Sequence, residues 1–328
     1  MLPHLGIIRD DVHSQDILSF PLTGCAQRRV GAYALEENTD YRPDLYSYVV
    51  RTPSADWYIA QADLDLMGEE AFYAGLEEIL ELQEADFAEV REALAPCITG
   101  EVPKVMILTD FSGQAEASTH FAAYYNPLNN FVKVFHSWEQ VKASLVHEYV
   151  HYLTFTCTGT QITAGFWAEG AAEYFSRFVC QNQLARSVNL GLPEAEVDFF
   201  RSMGAWNSEA ACLDMPMVYL GTAEVYLQGY MVGQSYYSVS DGIIERTERI
   251  QEDPHTYQLS MQEAAAMFVW LTETYGLDLV SAHWNCKEED MERVFGLPFP
   301  ELYDAWGEWN VAQCEALGID VSIQPPVE

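Results

Sequence analysis

His147, Glu148 and His151 stand in the run His147-Glu148-Tyr149-Val150-His151, inside a segment with helical periodicity. Residues four apart on a helix lie roughly 40° apart around its axis, so both imidazoles leave from one face about one turn apart. At that separation two ring nitrogens can reach one zinc ion at about 2.0–2.1 Å. Glu148, between them, is placed to take a proton from a water at such a metal. Catalytic zinc usually takes three protein ligands and leaves the fourth position to water, so a third donor is needed. Glu169, eighteen residues after His151, is the favoured one, because Gly170 and Ala171 beside it leave space for a close helix–helix approach at the metal. Glu173, one turn further along the same face, is the competitor.

The neighbouring sequence supplies elements that can position these groups. Ser137-Trp138-Glu139-Gln140 reads as a capping box, with the Ser137 hydroxyl accepting free amides and Gln140 reaching back. Trp138, Val141, Leu145, Tyr149 and Tyr152 or Leu153 follow at spacings of three to four, a core-facing stripe that predicts a helix over 138–155. Residues 157–163 read as a loop, and 166–175 as a second helix. Upstream, the runs 121–125 and 131–135 flank Asn126-Pro127-Leu128-Asn129-Asn130 and read as a hairpin. An exposed strand there could take an extended peptide as an added strand.

The order of strand 105–109, hairpin, HEYVH helix and WAEGAAEY helix resembles the gluzincin branch of the zincin metallopeptidases, which pair H-E-x-x-H with a later Glu followed by Gly. The match covers 102–179 well, the later helices loosely and the first sixty residues hardly at all. The resemblance implies His147, His151 and Glu169 as zinc ligands and Glu148 as general base. The family also stabilises the oxyanion with a Tyr or His beyond the third ligand. Tyr230, 61 residues after Glu169, is the residue carried over, with Tyr226 one turn earlier in reserve, each beginning a Tyr-x-x-Gly. The Gly-x-Met-Glu-Asn strand with which aminopeptidase relatives hold a free amine is missing, which favours an endopeptidase or oligopeptidase.

The expected fold class is α+β: a zincin-like catalytic domain, with a mixed sheet and metal-binding helices, followed by a mostly helical carboxy-terminal part. Its divisions are a β-rich segment 1–65, the catalytic region 66–178 and a helical region 179–328 that completes the cleft. Helices are expected over 69–82, 85–94 and 261–275, the last capped by Gly276. Leu302, Trp306 and Trp309 are expected to pack the last segment onto it.

Composition narrows the partners. The 328 residues carry a net charge of −34, which argues against nucleic acid and anionic membrane surfaces and suits solubility or the attraction of cationic peptides. No run approaches the roughly eighteen apolar residues of a membrane span. The seven cysteines are odd in number and widely spaced, without C-x-x-C, and read as buried thiols rather than a disulfide framework. Leu22-Thr23-Gly24-Cys25 ends like a lipoprotein signal, but the polar residues before it argue for coincidence and a cytoplasmic chain, unless a leader has been lost. His120 and His136 flank the hairpin and could reach a substrate. The expectation is a zinc-dependent metallopeptidase acting on a peptide or protein substrate; the alternative is a zincin-fold peptide-binding protein with little or no turnover.

Overall fold

The computed structural model describes residues 28–113, 123–162, 165–180, 183–186, 198, 206–207, 212–213 and 254–316. The fold is α+β, built on a seven-stranded mixed sheet. Strands β1 (Arg29–Val30), β2 (Tyr33–Glu37), β3 (Tyr46–Arg51) and β4 (Ala55–Ala60) form an antiparallel meander. Helices α1 (Gln61–Met67) and α2 (Glu69–Leu94) then carry the chain to β5 (Val105–Thr109), which lies parallel to β4. The hairpin of β6 (Ala123–Asn126) and β7 (Phe131–Val134) completes the sheet in the order β1-β2-β3-β4-β5-β7-β6. The amino-terminal strands therefore belong to the same sheet as the hairpin. Because β7 pairs with β5 as well as β6, the first strand of the hairpin is the one at this edge of the sheet among the described residues; the 131–135 run, also considered for peptide binding, lies inside the sheet.

Side chains alternate across the pleat. Trp57, Ile59, Ile107, Val132 and Val134 join the main core, at 1% exposure or less. Tyr58 and Leu108, the residues between, join a smaller cluster with Tyr46 and Val49. Helices α2 and α3 (Trp138–Thr156) contribute long apolar faces to the main core.

Helix α2 corrects one expectation: 69–82 and 85–94 form a single 26-residue helix. Gln83 and Asp86 break the apolar pattern, yet both are fully buried. Gln83 accepts from Trp57 Nε1 at 2.9 Å and donates to Thr52 Oγ1 at 3.2 Å. Asp86 accepts the amides of Gln183 and Leu184 at the start of α5 (Gln183–Arg186). Partners from distant elements turn an apparent gap into continuous helix, since a buried polar group is costly only when unsatisfied.

Helix α4 (Gly165–Glu173) runs into a π-helical turn over Tyr174–Val179, so the second predicted helix ends its α-helical part at Glu173. Strands β8 (Trp206–Asn207) and β9 (Cys212–Leu213) pair as a separate ribbon. The carboxy-terminal helices are α6 (Pro254–Tyr275), α7 (Leu277–Ala282), α8 (Met291–Phe295) and α9 (Phe299–Ala316). Gly276 ends α6 with φ 86° and its amide on Thr272 O, as glycine is suited to do. Leu302 and Trp306 are fully buried, and Trp309 packs against the core. No helix among the described residues is long and apolar enough to cross a membrane.

Candidate metal centre

Helix α3 starts where its sequence says it should. Ser137 is the N-cap, its Oγ accepting Gln140 N at 3.3 Å. The reciprocal half differs from a full capping box: the Ser137 hydroxyl donates to Gln140 Oε1 instead. Trp138 packs among Trp57, Phe72 and Phe111, and a Cβ on Gly75 of α2 would overlap its indole. Tyr149, inside the HEYVH run, stacks on Phe87 with ring centres 3.7 Å apart and takes a hydrogen bond from Arg91. One side of α3 is thus locked to α2 and the sheet, and the other side carries His147 and His151.

Helix α4 is braced from the opposite direction. A Cβ on Gly170 would lie 2.8 Å from the Ala264 carbonyl of α6 and 3.2 Å from Phe268 Cβ. The close helix approach expected beside Glu169 is therefore present, but its partner is α6 and not the histidine helix. Trp167 donates Nε1 to Cys286 O at 2.9 Å, and Trp284 donates to Thr160 O at 2.7 Å. These bonds tie α4 and the loop before it to the turn between α7 and α8.

Together the two helices converge three ligand atoms. His147 Nε2 lies 3.0 Å from His151 Nε2 and 3.1 Å from Glu169 Oε2, and His151 Nε2 lies 3.5 Å from the same oxygen. His147 and Glu169 are buried, and the His151 side chain is 15% exposed. Among the described residues this is the one group of His, Cys, Asp or Glu side chains whose ligand atoms gather closely enough to hold a metal ion.

Glu173 occupies a different place from Glu169. Its Oε1 lies 2.7 Å from His147 Nδ1, on the far side of the ring from Nε2. The contact is an ion-pair approach set off the Nδ1–H direction; with the ring proton on this nitrogen, Nε2 would keep its lone pair towards His151 and Glu169. Carboxylates in this position orient metal-ligating histidines. Burial alone would lower the His147 pKa, but the Glu173 and Glu169 carboxylates overcome it and push the imidazole up to about 10. The cluster of lone pairs and buried carboxylate thus attracts positive charge, which either a proton or a metal cation can supply.

Glu148 stands apart from the ligand set. Its Oε2 accepts the Tyr125 amide of edge strand β6 at 2.6 Å. Burial raises its pKa above the usual carboxylate value, against the pull of the two histidines. A buried, tethered carboxylate with a raised pKa next to a candidate metal site is suited to proton transfer.

Sequence reasoning missed the Tyr125 amide, because every non-proline residue carries one and only the fold selects it. It also took Glu173 only as a competing ligand; the i,i+4 spacing of Glu173 and Arg177 was the available sign that Glu173 had another partner. His136 is half-buried at φ 72° beside Phe135. Tyr230, Tyr226 and His120 lie outside the described residues. Among the described residues, Cys97, Cys157, Cys180 and Cys286 are free thiols. No protein-family model, curated protein or solved structure matches this chain.

Proposed function

We propose that the chain is a zinc-dependent metallopeptidase of the gluzincin kind, with a zincin-like catalytic region. The observation that carries this reading is the convergence of His147, His151 and Glu169, with Glu148 held separately by the edge strand. Two imidazole nitrogens and one carboxylate oxygen form a donor set that suits zinc and leaves a coordination position open. A zinc ion held by these three residues would supply a Lewis acid able to polarise a carbonyl and to lower the pKa of a water towards about 7.

The chain's own groups do the rest. His147 and His151 present Nε2, and Glu173 holds the His147 ring in the tautomer that allows it. An extended peptide lies along the outer edge of β6, beside the Glu148–Tyr125 contact, its scissile carbonyl facing the ligand set. Glu148 takes a proton from the attacking water and delivers it to the leaving amine nitrogen as the C–N bond breaks, so the carboxylate is regenerated each turnover. Tyr230 stabilises the oxyanion, as the family resemblance implies. The peptide or protein substrate binds without nucleic acid.

Metal content of protein purified without chelator tests the first step. About one zinc per chain is expected, and none in His147→Ala. Glu148→Gln is expected to keep the metal and lose peptide hydrolysis by at least about a hundredfold. A wild-type chain that takes up no zinc on addition would remove the metal reading; unchanged turnover in Glu148→Gln would remove Glu148 from its role.

A further inference from the structure

Arg177, in the π turn after Glu173, spans two helices. Its Nε lies 2.7 Å from Glu173 Oε2, while Glu173 Oε1 faces His147 Nδ1 at 2.7 Å. Its Nη2 donates to the Ala143 carbonyl of α3 at 3.0 Å. Ala143 precedes His147 by four residues, so its carbonyl is the α-helical acceptor for the His147 backbone amide. One guanidinium therefore touches both the side-chain partner of His147 and the backbone turn from which His147 departs. The contact is sheltered: the Arg177 side chain is 13% exposed and that of Glu173 2%. The Glu173 contact is an ion pair set off the Nε–H direction, while the Ala143 contact is a directed hydrogen bond; an ammonium on a shorter reach cannot span both.

We infer that Arg177 is a positioning residue of the metal centre, a clamp that fixes Glu173 and the Ala143–His147 turn as one unit and so holds the His147 ring in ligating orientation. Guanidinium has no lone pair to give a metal, so Arg177 acts only through Glu173 and His147. The inference rests on the metal reading proposed above.

The test uses the full chain stripped of metal and titrated with Zn²⁺ against a chromogenic chelator, for wild type, Arg177→Gln and Arg177→Lys. The absorption spectrum of the Co²⁺-loaded proteins and the thermal midpoint of each apo protein are recorded alongside. Arg177→Gln is expected to weaken zinc binding by about 10–100-fold and to alter the cobalt spectrum. Arg177→Lys reaches Glu173 or Ala143 but not both, and is expected to fall between; it also decides the matter if the Gln variant does not fold. Variants with wild-type zinc affinity and cobalt spectrum overturn the clamp, even where the apo midpoint drops, because a purely structural role moves only the midpoint. A wild-type chain that binds no zinc overturns the metal reading and the clamp with it. A wild type that binds zinc beside variants that bind equally well removes the clamp alone.

Discussion

The two helices that meet at the candidate metal centre are braced from opposite sides. Helix α3, with 19 residues, is capped by Ser137 and packed on α2 and the sheet through Trp138 and Tyr149. Helix α4, with nine residues, leans on α6 through Gly170 and is tied to the α7–α8 turn through Trp167. The histidines thus depend on the amino-terminal half of the molecule, and Glu169 on the carboxy-terminal half. On the metal reading proposed above, the three candidate ligands meet only where the two halves agree, so damage to either should remove metal, but through different losses.

Trp138→Ala should have the largest effect. Truncating a buried tryptophan leaves a cavity among Trp57, Phe72 and Phe111 and costs about 3–5 kcal/mol. Urea unfolding followed by tryptophan-independent circular dichroism would read it. A loss below about 1 kcal/mol would mean that α3 is not held from this end, and the comparison between the helices would fail.

Gly170→Ala should cost less and act on the other helix. Overpacking costs about 1–3 kcal/mol, offset by roughly 1 kcal/mol of added helix propensity, for a net loss of up to about 2 kcal/mol. Its diagnostic effect is on metal: displacement of α4 from α6 moves Glu169, and with it the Glu173–His147 contact, while α3 itself stays packed on α2. Zinc that binds the folded state raises the wild-type melting temperature by mass action, and that rise should shrink in the variant. An undiminished zinc-induced rise would show that Glu169 keeps its position without the Gly170–Ala264 contact.

The same two helices show what a sequence can disclose. Helix α3 was legible because its signals are local: a capping serine, a stripe at spacings of three to four, and two histidines four apart. The hairpin was legible from its turn residues, and Asn130 at φ 54° is the left-handed residue such a turn needs. The α-helical end of α4 was not, since its π turn forms where Tyr174 and Phe175 pack on Phe268, about ninety positions away in sequence. Gly170 signalled a close approach correctly, but a small residue announces only that something comes near. Its partner, Ala264, is fixed by the fold. Glu173 and Glu169 look equivalent on one helical face; their separation into an orienting and a converging carboxylate depends on the rotation of α4 against α3.

Two smaller substitutions sharpen the comparison further, because both cost little stability while their effects on metal should differ. Ser137→Ala removes the N-cap of α3 and costs about 1 kcal/mol. Trp284→Phe removes the donor to Thr160 O and leaves part of the buried indole's volume empty, costing about 1–2 kcal/mol. The cap lies ten residues before His147, and the intervening turns are held by Val141 and Leu145 at full burial. Fraying there should be confined to the first turn, so zinc affinity should stay at the wild-type value. The Thr160 carbonyl lies in the loop that delivers the chain into α4, nine residues before Glu169. Slack in that loop reaches a short helix with fewer turns to absorb it, so zinc affinity should fall several-fold, consistent with the effect of disturbing groups around a metal's ligands. Chelator competition on both proteins reads the difference. Equal affinities would mean that the α7–α8 turn stabilises the fold without placing Glu169, leaving Gly170 and α6 to set the position of the third ligand.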